Sequence, residues 1–170
     1  MIIDLASVGN TAKQIDVLLD PTEIDLEGEN ATLTAKVILS GELERIDARA
    51  HLRVTIKTDV MMDCTRCLEP VAKHFDFPVR AIFVGSSDDI TENEAEISDD
   101  ALDESVVRDG QINLAEVVRE QILLALPEQI FCREDCKGLC PKCGANLNLI
   151  DCKCTNDEVD PRWEALKSLK

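Results

Sequence analysis

Residues 51–60 read HLRVTIKTDV, and apolar and polar side chains alternate along them. The apolar set is Leu52, Val54 and Ile56, and the polar set is Arg53, Thr55 and Lys57. Because successive side chains of a strand point to opposite faces of a sheet, this period of two predicts a half-buried β-strand. Such alternation is typical of antiparallel sheets, in which one face packs on the core and the other meets solvent.

Two other segments repeat the alternation. Residues 31–39 place an apolar set on one face, namely Leu33, Ala35, Val37 and Leu39, and residues 75–83 do so with Phe75, Phe77, Val79, Ala81 and Phe83. A further strand is expected at residues 15–19, where Asp20-Pro21 ends the apolar run. The motif at residues 63–67 lies between the strands at 51–60 and 75–83, and we expect it at or near a hairpin tip. The sequence therefore predicts a β-rich part over residues 1–85.

The chain changes character after residue 85. Residues 86–105 contain nine carboxylates and no basic group, a composition typical of a solvated loop. The same composition would suit a docking surface for a basic partner, so both interpretations stay open. In either case an acidic loop or linker is expected over residues 86–110.

An amphipathic helix is predicted within residues 111–131. Asn113 is a suitable N-cap, with Glu116 three residues later, and Pro127 ends the apolar run. The apolar positions at helical spacing are Leu114, Val117, Val118, Ile122, Ala125 and Leu126. One face of this helix should therefore pack on the sheet. Asp160-Pro161 predicts the start of a terminal helix, carrying Trp163, within a cysteine-rich tail over residues 132–170.

The composition excludes several classes of protein. The chain has 170 residues, of which 34 are acidic and 18 basic, and its net charge of −16 argues against a general polyanion binder. Four Phe and one Trp are too few for a platform that stacks single-stranded bases. No apolar run approaches the roughly 20 residues of a membrane span, and no secretory signal is visible. We therefore expect a cytoplasmic protein without a membrane partner.

Eight cysteines are the unusual number in this composition. In a reducing compartment, closely spaced thiols are more often metal ligands than disulfide partners. The segment Cys140-Pro141-Lys142-Cys143-Gly144 has the spacing of a zinc knuckle, in which two thiolates face one ion and the glycine permits the turn. Structural zinc is therefore the expected cofactor.

Eight thiolates can fill two tetrahedral zinc sites. The simplest partition gives two sets: Cys140, Cys143, Cys152 and Cys154 in one, and Cys64, Cys67, Cys132 and Cys136 in the other. The competing arrangement is a single C-terminal site drawn from Cys132, Cys136, Cys140 and Cys143. Spacing alone leaves both open, but only the first would clamp the hairpin tip to the tail.

The motifs of a catalytic centre are missing from the sequence. Cys64-Thr65-Arg66-Cys67 has the form of a redox motif, but such motifs open a helix, whereas this one is expected to join two strands. Only His51 and His74 could supply the histidine that open catalytic zinc sites recruit, and no HExxH motif is present. A Walker loop, a GxGxxG turn and a GxSxG elbow are also absent. We expect no enzymatic activity and no small-molecule substrate.

Basic residues line the outward face of the strand at 51–60. Arg49, Arg53 and Lys57 fall at even spacing, and Arg66 and Arg80 could extend the set. The neighbouring acidic residues favour a plain solvated strand face. A local basic strip can nevertheless contact RNA phosphates on an otherwise acidic protein, so RNA binding by these five residues stays open as the second interpretation.

The ordered set of these features resembles the YceD family, the large ribosomal RNA subunit accumulation proteins. The resemblance is carried by the Cys64-x-Arg66-Cys67 motif, the acidic stretch, INLAE at 112–116, VREQILLALP at 118–127, CKGLCPKCGANLN at 136–148, and DPRW at 160–163. It covers roughly residues 45–170 well and the N-terminal third only loosely.

The resemblance implies a non-enzymatic factor needed for accumulation or processing of the large-subunit (23S) rRNA. Its expected partners are that rRNA or a precursor particle, with a ribosomal protein as a further candidate. The alternative is a zinc-stabilised adaptor that binds only protein and uses the acidic loop to hold a basic ribosomal protein. The expected fold is α+β: an antiparallel β-sheet packed by one main amphipathic helix, with a zinc-stapled C-terminal tail.

Overall fold

The computed structural model describes residues 1–26, 30–47, 49–85, 104–107, 109–154 and 162. The chain forms two compact units. The first comprises Met1–Met62 and Val71–Glu128, and the second Asp63–Pro70 and Gln129–Lys170. Within the described ranges, no helix has both the length and the apolar character that a membrane span needs.

The described elements are eight strands and one α-helix. The strands are β1 (Ile2–Asp4), β2 (Lys13–Leu19), β3 (Ala31–Leu33), β4 (Val37–Ile46), β5 (Arg49–Asp63), β6 (Pro70–Gly85), β7 (Glu104–Val107) and β8 (Gln111–Asn113). The helix, α1, spans Leu114–Ala125. Single turns of 3₁₀ helix lie at Leu5–Ser7 and Pro21–Glu23.

Most of the strands belong to one main sheet. Its order is β2–β4–β5–β6–β7, and β3 pairs with β5 beside this path. The pairings of β2 with β4 and of β4 with β5 are antiparallel, whereas β7 runs parallel to β6 at the edge of the sheet. A separate two-stranded sheet pairs β1 with β8. A largely antiparallel, mixed sheet with one helix confirms the α+β class.

The core of the first unit follows the predicted alternation. Along β5, every even-numbered residue from Ala50 to Met62 is buried, which includes the predicted set Leu52, Val54 and Ile56. The helix α1 buries one stripe at Leu114, Val118 and Ile122. Asn113 caps it, because the side-chain oxygen accepts a hydrogen bond from the N–H of Ala115 at 3.2 Å. The helix is therefore a core element with one apolar face, as its spacing predicts.

The strand predicted over residues 31–39 is interrupted, and this prediction is wrong in its continuity. Leu33 pairs with Val60 and Ile38 pairs with Lys57, so four residues on this side face only two on β5. The N–H of Thr34 donates to the carbonyl of Asp59 at 2.9 Å within the interruption. Because an insertion of two residues preserves side-chain parity, Leu33, Val37 and Leu39 all remain buried.

Other boundaries also differ from the sequence predictions. Glu104–Val107, within the segment interpreted as an acidic loop, forms the edge strand β7, whose pairing with β6 requires a crossover that periodicity cannot reveal. Residues 111–113 form β8, so the helix is shorter than 111–131. The rest of the acidic segment, residues 86–103, lies outside the described residues. So does the expected terminal helix, apart from Arg162.

Candidate metal centres

The second unit contains all eight cysteines, and the structure gathers their sulfur atoms into two tetrads. The first tetrad consists of Cys64, Cys67, Cys132 and Cys136, and the second of Cys140, Cys143, Cys152 and Cys154. Within each tetrad, all four sulfur atoms lie within 4.8 Å of one another. The structure thus brings together the two sets of the simplest partition. The competing set is divided, because Cys132 and Cys136 belong to the first tetrad and Cys140 and Cys143 to the second.

The first tetrad begins in the tight turn between β5 and β6. The N–H of Leu68 donates to the carbonyl of Cys64 at 2.9 Å, and the N–H of Cys64 donates to the carbonyl of Glu69 at 2.8 Å. Leu68 adopts a φ of 60°, a left-handed conformation that costs an ordinary L-residue about 1–2 kcal/mol. The turn directs the side chains of Cys64 and Cys67 to one side.

The second tetrad begins in a turn with the same backbone pattern. The N–H of Gly144 donates to the carbonyl of Cys140 at 2.8 Å, and the N–H of Cys140 donates to the carbonyl of Ala145 at 2.8 Å. Gly144 takes a φ of 70°, at the position that Leu68 occupies in the first turn. The two Cys-x-x-Cys turns are therefore equivalent knuckles. In the sequence, a glycine after the second cysteine indicates the knuckle at Gly144, whereas Leu68 gives no such indication.

The sulfur geometry of the first tetrad fits a tetrahedral metal ion. A tetrahedron with metal–sulfur bonds of about 2.3 Å has edges of about 3.8 Å. The sulfur atoms of Cys64 and Cys136 lie 3.8 Å apart, and those of Cys67 and Cys132 lie 3.6 Å apart. Each tetrad could therefore hold one metal ion with protein sulfur at every ligand position.

The thiols of the first tetrad do not ionise equally. Burial raises the pKa of Cys64, but the N–H groups of Arg66, Cys132 and Cys67 favour the thiolate and bring its pKa down to about 6. By contrast, burial together with the adjacent Cys67 sulfur raises the pKa of Cys132 to about 12. One thiolate thus opposes the ionisation of another, and a divalent cation is the group that would hold both as thiolates.

The second tetrad shows the same division. The N–H groups of Cys143 and Lys142 favour the thiolate of Cys140 and lower its pKa to about 6. The nearby sulfur of Cys143, helped by burial, raises the pKa of Cys154 to about 12. Knuckle N–H groups therefore prepare one thiolate in each tetrad, at Cys64 and at Cys140.

Asn148 and Arg66 support the first tetrad from outside the ligand set. The amide nitrogen of Asn148 donates to the sulfur of Cys136 at 3.3 Å, and this contact lowers the pKa of that thiol. The guanidinium of Arg66 donates to the carbonyl of Cys136 at 3.0 Å and lies 4.1 Å over the Phe131 ring. Neither role could be predicted from the sequence, because only metal ligands recur at a recognisable spacing.

The two tetrads differ in their access to solvent. In the first, Cys64, Cys67 and Cys136 are buried and only Cys132 is exposed. In the second, Cys140 alone is buried, whereas Cys143 and Cys154 are exposed. An ion in the first tetrad would accordingly be better shielded from chelators and water than an ion in the second.

Three of the five residues considered for RNA binding lie on the outward face of β5, and each has an acidic partner. Arg53 contacts Glu44 at 2.6 Å, and Lys57 contacts Asp76 at 2.9 Å. Arg49 forms an ion pair with Glu104 of β7. The face is therefore a lattice of alternating charges, in which a phosphate would compete with a carboxylate for each cation.

The remaining two residues are placed differently. Arg80 is exposed on β6. Two contacts join β5 to β6, from Lys57 to Asp76 and from Asp59 to His74. If the antiparallel register of these contacts continues along the two strands, Arg80 lies opposite Arg53. Arg66 belongs to the second unit, where its guanidinium is used in the contacts with Cys136 and Phe131. Its contacts assign it a structural role.

The sequence of this chain is similar to a known protein family and to several individual proteins. The family profile described as "Large ribosomal RNA subunit accumulation protein YceD" matches residues 52–170. The uncharacterised protein YlbN of Bacillus subtilis is 27% identical over 157 residues, which cover 92% of this chain and 87% of the relative. An uncharacterised Mycobacterium tuberculosis protein is 28% identical over 172 residues, covering 98% and 79%.

A plant relative bears a descriptive name. "Large ribosomal RNA subunit accumulation protein YCED homolog 1, chloroplastic" of Zea mays is 26% identical over 181 residues, which cover 89% of this chain and 59% of the relative. No solved structure matches the chain.

The two tetrads should lose metal independently, because their ligand sets share no residue. We expect about two ions per chain, with Cys64→Ser and Cys143→Ser each releasing about one. Native mass spectrometry under reducing conditions measures this loss. Cys64→Ser should also accelerate hydrogen exchange at residues 132–136, whereas Cys143→Ser should leave those amides protected. A reduced chain without stoichiometric metal, or a Cys64→Ser chain that keeps both ions, would contradict the assignment.

The two knuckles should respond differently to exchanges at their left-handed residue. Gly144→Ala forces an L-residue into that conformation and should weaken zinc binding at the second tetrad about tenfold. Leu68→Gly removes the same strain from the first knuckle, so its zinc affinity should stay within about threefold of wild type. Competition with a coloured chelator measures both affinities. Equal weakening by the two changes would show that the turns are not equivalent.

Proposed function

We propose a role in producing the large ribosomal subunit, because this chain belongs to the YceD family of large ribosomal RNA subunit accumulation proteins. The family profile spans residues 52–170, which contain all eight cysteines and α1. This match is the observation that carries the proposal. We extend it to accumulation or processing of 23S rRNA, with that rRNA or a precursor particle as the partner.

The protein acts in this proposal by binding and not by catalysis. Each tetrad offers four sulfur ligands, so a bound ion would be closed to water and substrate. Catalytic zinc sites keep one position open for water or substrate. The family description likewise names an accumulation protein.

Zinc is the ion that we assign to both tetrads. Four thiolates in a tetrahedron are the usual ligand set of structural zinc, and the sulfur distances of the first tetrad agree with it. Between residues 129 and 154 the only strand pairing described is the isolated bridge from Leu139 to Asn146. A segment with so little regular structure gains its order from the metal, whose binding free energy contributes to folding.

Direct RNA contact is proposed at the outward face of β5 and β6. Arg49, Arg53 and Lys57 are about half exposed, and Arg80 adds a fourth cation by its register. A phosphate must displace Glu44 or Asp76 to reach these cations. The contact should therefore be modest in affinity and strongly dependent on salt.

The proposed role is tested by complementation. Loss of the gene should lower the 23S to 16S rRNA ratio and shift sucrose-gradient profiles towards immature large subunits. Wild type and Leu68→Gly should restore both measurements, because Leu68→Gly preserves the knuckle. The double change of Cys64 and Cys143 to Ser should fail to restore them at matched protein levels. Normal rRNA in cells without the protein would contradict the role, and full rescue by the double variant would contradict the need for zinc.

The RNA contact is tested separately by the change of Arg49, Arg53 and Lys57 to Ala. Each lost phosphate contact should reduce the salt dependence of binding to precursor particles by about 0.7–0.9 unit of slope. Zinc content should not change, since the three side chains lie outside the tetrads. A matched control changes Lys13, Lys36 and Lys73 to Ala, because these exposed residues carry the same charge and lie outside β5.

The opposite result would favour a protein adaptor. If the triple variant binds precursor RNA with unchanged salt dependence, the strand face is not the RNA contact. If charge reversal within residues 88–104 abolishes association with the particle, the acidic segment holds a basic protein instead.

A further inference from the structure

A groove of about 420 Å³ opens in the first unit. Its lining comes from β6, β7, β8 and α1, together with Ile2 of β1. Phe83, Val106 and Val107 give it an apolar side. Neither tetrad contributes a residue to it, so the role proposed for the metal centres leaves the groove unexplained.

The polar part of the groove carries negative charge. Asp109, Glu116 and Glu120 line it, and no Lys or Arg is present among its described lining residues. Glu116 and Glu120 are four residues apart on α1, a spacing at which two like charges repel each other. No described cation lies within ion-pairing distance of either carboxylate. Among the described residues, therefore, neither carboxylate has an ionic partner.

Apolar side chains are exposed beside these carboxylates. Val106 is 55% exposed and Ile2 is 61% exposed, and both line the groove. Leu124 continues the row of Glu116 and Glu120 one turn further along α1 and is 80% exposed. The surface thus alternates apolar and acidic groups. A partner that matches it must carry both apolar and basic groups.

The strand β7 supplies a backbone edge to this surface. It is the last strand in the order of the main sheet, and among the described residues only β6 pairs with it. Unpaired N–H and C=O groups of an edge strand are a template for an added strand. Val106 and Val107 of β7 line the groove, so an added strand would run along it.

We propose that this groove binds an extended segment of a partner protein in which Lys or Arg alternates with apolar residues. Side chains of an added strand alternate between two faces, so one set can meet the apolar side while basic side chains reach Asp109, Glu116 and Glu120. RNA does not fit this surface, because three carboxylates repel phosphate. Residues 88–103 of this chain are themselves acidic and so do not have the complementary charge.

The source of such a segment rests on the proposed function. In that role, a basic ribosomal protein is the class of partner that would supply it. The groove itself is defined by its residues, so its chemistry can be tested with a synthetic peptide.

The probe is the peptide acetyl-Gly-Lys-Val-Arg-Val-Lys-Val-Gly-amide, titrated into the zinc-loaded full chain. We expect saturable binding, with increased amide protection at residues 104–107 in hydrogen exchange. The double change of Glu116 and Glu120 to Gln should weaken binding about fivefold to tenfold, since it removes two exposed ion pairs with the peptide. Asp16→Asn with Glu42→Gln is the matched control, because it removes the same charge outside the groove and should leave affinity within about twofold.

Peptide controls separate the groove from general charge attraction. Replacing Lys and Arg of the peptide by Gln should abolish binding. Methylating alternate backbone nitrogens of the peptide should also abolish binding, because it removes the N–H groups that would pair with the edge of β7 and keeps the charge of the peptide. Equal binding of the methylated peptide, equal loss in both double variants, or protection confined to residues 86–103 would overturn the proposal. So would the absence of any binding by the alternating peptide. Protection confined to residues 155–170 would mean that the peptide binds the tail, which is a further overturning result.

The two proposals can fail separately. Peptide binding with normal rRNA in cells lacking the protein would overturn the ribosomal role and leave the groove assignment in place. A clear rRNA defect in those cells, together with no peptide binding, would overturn the groove assignment alone.

Discussion

Four sulfur atoms within 4.8 Å of one another are stable as thiolates only when a cation holds them together, and the second unit contains two such groups. The opposed pKa values of about 6 at Cys64 and about 12 at Cys132 express this constraint. Regular secondary structure contributes little to the order of this unit, because one isolated bridge is its only described strand pairing beyond the ends of β5 and β6. Metal binding at the tetrads would therefore contribute directly to the folding free energy of the unit.

The constraint also determines how distant parts of the chain are connected. Cys64 and Cys67 lie in the turn between the two longest strands, and Cys132 and Cys136 follow α1 by several residues. One ion at this tetrad would close a loop of chain that contains β6, β7, β8 and α1. Closing a long loop stabilises a fold by restricting its unfolded chain. All residues that line the groove except Ile2 belong to this loop, whereas an ion at the second tetrad would close only short segments between residues 140 and 154.

Much of the fold could be predicted from the sequence, because β5 and α1 bury regular sets of side chains. The simplest partition of the cysteines into close pairs matches the two tetrads, but spacing alone had left a single C-terminal site open as well, and only the structure separates the two arrangements. Other features depended on tertiary structure. β7 has only four residues and is defined by its pairing with β6. The interruption at residues 34–36 is visible only in the register with β5. Leu68 concealed the first knuckle because glycine, the usual signal, is replaced there.

X-ray absorption at the zinc edge of the purified, reduced protein tests the central claim most directly. The account predicts about two zinc ions per chain, each with four sulfur neighbours at about 2.3 Å and no nitrogen or oxygen ligand. This spectrum would assign every cysteine as a ligand and both tetrads as closed structural sites. A shell containing nitrogen or oxygen, or a single zinc ion with four free thiols, would contradict it.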